Sequence, residues 1–508
     1  MDLKDFFAHW HLSENPFLAE EARNDAVYAR TLEATVTHPD FEKIEGSPRN
    51  PSTSIVFGEK GSGKTAMRLM IEQRLRTFNK EQSAGRAWIV RYDDLNPVLD
   101  RLSHNLSLKD PADCLDHITL SDHQDAILGL AVTDLLDWIL GEDTDDAEEK
   151  RRRKADRKAL RKMSREKRLD LALFALLYDQ PAHGDDGTRW FRLLRLLRVR
   201  PVLDRTGLGV AALLFGLAGL VGAVVWRFTD SAAFEWIITT VAGALGFVLL
   251  GAAWVSGCLR RWFRAGRVRD AIRSVSHSRK ALSRAFWNLP ENPGTLALLP
   301  DKEDQDKRYE ATQRLLRILG AMGYDSLFVL IDRVDEPVLI NSDVERMRKL
   351  VWPLLNNKFL QQERVAVKLL LPIELGHQVE REDTAFQRQA RLDKQNLVNP
   401  LRWTGATLYD LCSRRFRHCQ TEGGSGVPVE ELKDIFTDDV DHNDLVDALD
   451  QMHQPRDAFK FLYAVIRRHC ENTPGDAAEY KIPRLTLEQV RREQSERVMN
   501  LYRGISAH

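Results

Sequence analysis

The sequence predicts an α/β fold: a parallel sheet flanked by helices, interrupted by a pair of long apolar helices and followed by a helical C-terminal region. Three observations carry this expectation. A short apolar run, Ser54-Ile55-Val56-Phe57, leads into a glycine-rich loop, Gly58 to Thr65, and then into a segment with helical apolar spacing. A second apolar run, Leu327 to Ile331, ends on Asp332. Between them lie two stretches, 208–226 and 232–259, that carry almost no charge. Each is long enough for a hydrocarbon core, which takes about 20 apolar residues.

The elements follow in order. Residues 1–50 form an approach containing Asn15-Pro16-Phe17, and Met1 to Asp5 lacks the basic-then-apolar layout of a signal peptide. Ser54 to Phe57 reads as a buried strand, Ala66 to Thr77 as a helix, Ala87 to Tyr92 as a second strand and His117 to Leu140 as a helix. The charged stretch 142–168 reads either as a basic arm for anionic lipid or nucleic acid, or as a solvated helix held by i,i+4 pairs. The acidic residues at its start favour the second reading. In 190–199, arginines alternate with apolar residues at threefold spacing, the pattern of an amphipathic helix on a membrane surface.

The apolar stretches are joined only by Arg227 to Ser231, which predicts a tight two-helix transmembrane hairpin. Arg189 to Arg205 before it and Arg260 to Arg269 after it are arginine-rich flanks, which the positive-inside rule puts in the cytoplasm. Trp226, Trp236, Trp254 and Trp262 suit interfacial belts. The expected location is the inner (cytoplasmic) membrane, with both termini inside. Beyond the hairpin, 268–287 and 307–322 read as helices, Leu327 to Ile331 and Val365 to Leu371 as strands, and the chain from about Pro400 as helical. The expected segments are 1–140, 141–206, 207–262, 263–400 and a lid at 401–508.

Gly58 to Thr65 matches G-x-x-x-x-G-K-[ST] at every defined position. Glycines at 58, 61 and 63 let backbone N–H groups curl around phosphate oxygens. Lys64 supplies a cation for the β- and γ-phosphates, and the Thr65 hydroxyl a ligand for Mg²⁺. The helix that opens there adds its positive end. The nucleotide-binding residues are therefore Gly58, Glu59, Lys60, Gly61, Ser62, Gly63, Lys64, Thr65 and Ala66. Asp332, at the end of an apolar strand, fits the Walker B acid that holds Mg²⁺, so Thr65 and Asp332 are the expected metal residues. Together these predict a P-loop NTPase sheet with an inserted transmembrane hairpin and a C-terminal helical lid. The cofactors are ATP and Mg²⁺.

The water-activating acid is less direct. Arg333 occupies the place next to Asp332 where many ATPases carry glutamate, so the role falls to Glu336, with Asp335 second. Their alternative reading is an acid pair at a helix start. The run Asp332-Arg333-Val334-Asp335-Glu336 resembles the D-G-h-D-E pattern of STAND and NACHT NTPases, with arginine replacing a small residue. The long insertion between Lys64 and Asp332, with its hairpin, resembles the KAP P-loop NTPases, although their usual D-D-x-D-R is not matched. Gln454-Pro455-Arg456-Asp457 is similar to the sensor-2 segment of AAA+ ATPases, which implies that Arg456 reaches the γ-phosphate from the lid. Asn15-Pro16-Phe17 resembles a segment near adenine in AAA+ proteins of the origin-recognition and secretion-ATPase type. Arg414 and Arg415 are candidates for an arginine finger across an oligomer interface. Asn356-Asn357-Lys358-Phe359 fails the last position of NKxD, so ATP is expected over GTP.

The chain has 508 residues with 74 basic and 75 acidic side chains, so net charge neither indicates nor excludes a nucleic-acid partner. Five scattered cysteines without a CxxC pair argue against a disulfide framework or zinc site. Expected partners are membrane lipid and a protein partner or second copy. Two functions compete: an ATPase working as a conformational switch, and a non-hydrolysing ATP-binding membrane scaffold. Two spans without interior charge leave no transport pathway. The STAND and KAP resemblance implies bacterial signalling or anti-phage defence.

Overall fold

The computed structural model describes residues 1–19, 21–31, 38–141, 146–181, 188–199, 216, 233–275, 279–289, 296–302, 306–420, 429–474 and 479–505, without the side chains of 31, 233–250, 253, 288 and 501–505. The chain divides into two compact units, one of 1–94 with 326–508 and one of 95–325. The five segments read from the sequence are cut differently. Helix Leu120–Leu140 belongs to the second unit, while the C-terminal helices share the first unit with the sheet.

The first unit is built on a five-stranded parallel sheet. Its strands are β1 (Ser54–Gly58), β2 (Arg86–Tyr92), β3 (Tyr324–Ile331), β4 (Val365–Pro372) and β5 (Asn396–Val398), in spatial order β2-β3-β4-β1-β5. Every residue of β1 and β4 is buried, as expected of strands covered on both faces by helices. One face is closed by helix Lys64–Glu81, whose Met67, Met70, Ile71 and Leu75 pack on Val56, Phe328, Leu330 and Leu370. Full burial of such a side chain contributes about 1.5–3 kcal/mol.

Lys368 breaks the apolar run of β4 and is wholly buried. Its Nζ donates to Ile44 O at 2.8 Å and to Ser52 O at 2.6 Å, and burial pushes its pKa down to about 7. The C-terminal helices form their own core, where Leu408, Phe416, Leu445, Phe461 and Leu487 meet Phe6, Trp10 and Phe17 from the N-terminal approach.

The second unit is helical. Helices Leu120–Leu140, Arg165–Tyr178, Thr188–Leu196 and Asp306–Ala321 pack together, and Ala147–Lys162 lies against the first of them. At its centre Arg308 grips Asp125 at 2.9 Å, with the Tyr178 hydroxyl donating to the same carboxylate at 3.1 Å. The charged stretch forms the expected i,i+4 pairs, Arg152–Glu148 and Arg153–Glu149. It is not solvated all round, because Trp138 donates to Asp156 and Arg157 to Ile139 O. Nor is the apolar face of Thr188–Leu196 open to lipid. Trp190, Leu193 and Leu194 are buried in the protein, with Trp190 donating to Ala172 O.

The first apolar stretch, 208–226, lies outside the described residues except for Gly216. The second falls on one continuous helix, Ala233–Ala271. Among the described residues no helix is long and apolar enough to cross a membrane, so the inserted hairpin is not part of the fold established here.

Candidate functional site

The glycine-rich loop follows directly from β1. Gly61 and Gly63 have φ of 107° and 91°, a left-handed region in which a Cβ is strained. Helix Lys64–Glu81 then starts with Gly63 at its cap and no capping side chain. Lys64 Nζ donates back to Gly58 O at 2.7 Å and Glu59 O at 2.9 Å. Burial lowers its pKa; Asp332, Asp335 and Glu374 push it back up, and the nearby Arg456 lowers it further.

Asp332 directly follows β3 and is almost fully buried beside the loop. Burial raises its pKa, against a hydrogen bond from Thr65 and the charges of Arg68 and Lys64. Its Oδ2 has no hydrogen-bond partner and lies 3.7 Å from Arg68 Nε. An orphaned carboxylate oxygen beside a threonine hydroxyl fits a small hard cation. Among the described residues no three His, Cys, Asp or Glu side chains gather into a metal site. The donor set therefore suits a Mg²⁺ that takes its other ligands from phosphates and water.

These groups open onto one cleft of about 580 Å³ in the first unit. Its walls include Lys60, Gly61, Gly63, Lys64, Thr65 and Ala66 from the loop, Asp332, Asp335 and Glu336 after β3, and Glu374 after β4. Tyr28, Phe41, Met67, Met70 and Phe459 give it an apolar side, and Arg414 and Arg456 reach it from the C-terminal helices. The chain matches no protein-family model, no curated protein and no solved structure. Its chemistry is therefore read from the site alone.

The C-terminal region touches the loop directly. Trp403 Nε1 donates to Ser62 O at 2.8 Å, Gln454 Nε2 to Glu59 Oε2 at 2.5 Å, and the Arg456 amide to Gly61 O at 3.5 Å. Arg456, expected to act from a lid, thus sits against the Gly58–Thr65 loop. Arg333 has a φ of 61°, in the region that favours glycine, the residue type found there in D-G-h-D-E. The turn sends its guanidinium to Glu336, and the two form an ion pair. The acid expected to activate water is thus paired and exposed.

The remaining sequence candidates separate. Arg415 is buried, donates to Pro16 O and pairs with Asp25 at 2.5 Å, which ties the N-terminal approach to helix Gly405–His418. That structural role does not fit a finger reaching another subunit. Arg414, its neighbour, is exposed and lines the cleft. Phe17 is buried against Phe416 and Phe459, and after it Ala19, Glu21, Ala22, Arg23, Asp25 and Tyr28 line the cleft. Asn356 caps the short helix Asn357–Leu360.

Sequence reading missed Arg68, Trp403 and Glu374, and named Gln454 only as part of the Arg456 segment. Arg68 follows Lys64 by one helical turn, so its facing was legible from periodicity. Glu374 follows a strand that was recognised, but the place of that strand in the sheet was not.

Proposed function

We propose that this chain is a P-loop ATPase that binds Mg-ATP and uses binding and hydrolysis as a conformational switch. The observation that carries the reading is the convergence of Lys64, the Thr65–Asp332 pair and Arg456 on one cleft. In this reading Thr65 and Asp332 hold Mg²⁺, which neutralises phosphate charge. A γ-phosphate offers Lys64 a full negative charge in place of two neutral carbonyls, which draws it from Gly58 O and Glu59 O. The freed loop is the one whose Glu59, Gly61 and Ser62 the lid grips, so phosphate occupancy is transmitted to the lid. Arg456 contributes a second cation to the same phosphates.

A membrane setting belongs to the same proposal. The apolar stretches 208–226 and 232–259, with Glu235 their single charged residue, and their arginine-rich flanks support a two-span anchor in the cytoplasmic membrane and an NTPase portion inside. The resemblance to STAND and KAP NTPases supports a signalling or defence role acting on a protein partner or a second copy. One observation favours a second reading, a non-hydrolysing ATP-binding scaffold: the Arg333–Glu336 pair engages the acid expected to activate water.

The test is nucleotide affinity and phosphate release on detergent-purified full-length protein. Lys64→Ala is expected to weaken ATP binding roughly ten- to a hundredfold, the range for a charge-assisted contact. Unchanged affinity in that variant sinks the reading, and tight binding without phosphate release selects the scaffold. Deleting 208–259 is expected to move the protein from the membrane to the soluble fraction. A full-length chain that is soluble without detergent refutes the anchor.

A further inference from the structure

We propose that Glu374, rather than Glu336 or Asp335, is the base that activates the attacking water; this rests on the ATPase reading above. The argument begins with strand order. β4 lies between β1, which carries the P-loop, and β3, which carries Asp332. In register, Gly58 pairs with Pro372 and Ile331 with Leu369. The end of β4 is therefore level with the start of the P-loop and extends beyond Asp332. Helix Ile373–Arg381 begins at once, with Glu374 in its first turn. The topology thus delivers a carboxylate to the rim between the phosphate loop and the metal acid.

Packing holds it there. A Cβ on Gly376 would lie 3.1 Å from Phe57 Cγ and 3.2 Å from Phe57 Cβ, so the glycine lets this helix approach β1 next to the P-loop. A base mounted on a helix rooted in the sheet is held more rigidly than one on a loop. Glu374 lines the same cleft as Lys64, Asp332 and Arg456, and its charge is felt at the Lys64 ammonium. Its rivals are placed differently. Glu336 is exposed and its carboxylate is engaged in an ion pair with Arg333. Asp335 also lines the cleft, but on the loop after β3, with a shorter side chain and a backbone carbonyl engaged by Ser342.

The step is a displacement at phosphorus. Water oxygen forms a bond to the γ-phosphorus while the bond to the β,γ-bridging oxygen breaks, its electron pair leaving on ADP. The Glu374 carboxylate accepts one water proton and passes it to solvent. The products are ADP and hydrogen phosphate.

The experiment compares full-length wild type with Glu374→Gln, Glu374→Asp, Glu336→Gln and Asp335→Asn, measuring ATP affinity and turnover separately. Glu374→Gln is expected to keep ATP affinity within about threefold and to lose roughly a hundredfold or more in kcat, the scale of a general base. Glu374→Asp, which keeps a carboxylate one methylene further back, is expected to retain more turnover than Glu374→Gln, and the fall in Glu374→Gln is expected to exceed that in Glu336→Gln by more than tenfold. Near-normal kcat in Glu374→Gln overturns the proposal. So does a fall in affinity equal to the fall in kcat, or loss of turnover confined to Glu336→Gln or Asp335→Asn. A wild type that binds ATP without turnover overturns it while leaving nucleotide binding intact. A wild type that binds no ATP overturns the ATPase reading itself.

Discussion

Lys368 makes a quantitative prediction about the sheet. It is fully buried in the centre of β4, and burial lowers its pKa from 10.5 to about 7, while Glu45 opposes the shift. Between these values the unfolded chain carries a proton that the folded chain does not. The sign follows: unfolding becomes harder as pH rises through this window, because less work is spent deprotonating the lysine on folding. With 1.36 kcal/mol per pKa unit, the gain between pH 7 and pH 9 is about 2 kcal/mol. Replacement by methionine, similar in length and never charged, removes this dependence and leaves the other titrating groups common to both proteins. The assay is urea unfolding at pH 7, 8 and 9 with hydrogen exchange read on β4 peptides, so that the sheet is followed separately from the helical unit. Wild type is expected to gain relative to Lys368→Met as pH rises. Parallel pH profiles for the two proteins would refute a buried lysine that loses its proton near neutrality.

Three further outcomes are expected. Gly61→Ala puts a side chain at a φ of 107° with its Cβ 2.7 Å from Gln454 Oε1 and 3.1 Å from Arg456 Cβ, so the backbone is strained and the Gln454 side chain must move. Nucleotide affinity is expected to fall about tenfold or more, since residues rarely adopt this conformation without strain; unchanged affinity in a binding titration would show that the lid contact is not used. Arg308→Met leaves Asp125 buried without its cation, a change that costs about 3–5 kcal/mol, so hydrogen exchange in Leu120–Leu140 and Asp306–Ala321 is expected to accelerate, and unchanged protection would contradict the pairing. Arg415→Ala is expected to lower Tm by releasing Asp25 and Pro16 O, whereas Arg414→Ala should leave Tm unchanged and lower turnover if it serves as a finger; the reverse pattern would exchange their roles.

Local information was enough for much of the molecule. Four strands were legible because buried parallel strands are continuous apolar runs, and the P-loop because its glycines and Lys64 follow one of those runs at fixed spacing. The edge strand β5 was not legible: it is three residues long, and only Val398 is fully buried. The apolar face of Thr188–Leu196 was legible as a face but not by its occupant, since the same pattern serves lipid or a helical core. Arg415 illustrates the limit at a single residue. Its neighbours on the helix do not reveal that Pro16 and Asp25, some four hundred positions earlier, complete its hydrogen bonds.

The sequence by itself determined the parts of the candidate site that depend on short-range geometry: Gly58 to Thr65 and the strand that leads into Asp332. The tertiary structure decided how those parts are completed. Strand pairing is non-local, so only the sheet order brings Glu374 between the P-loop and Asp332. A single left-handed residue, Arg333, turns Glu336 into its own ion-pair partner. The contacts of Trp403, Gln454 and Arg456 likewise exist only because a helical core distant in sequence sets them against the loop. Spacing along a chain specifies which groups a motif contains. Which other charges reach it is a property of packing in three dimensions.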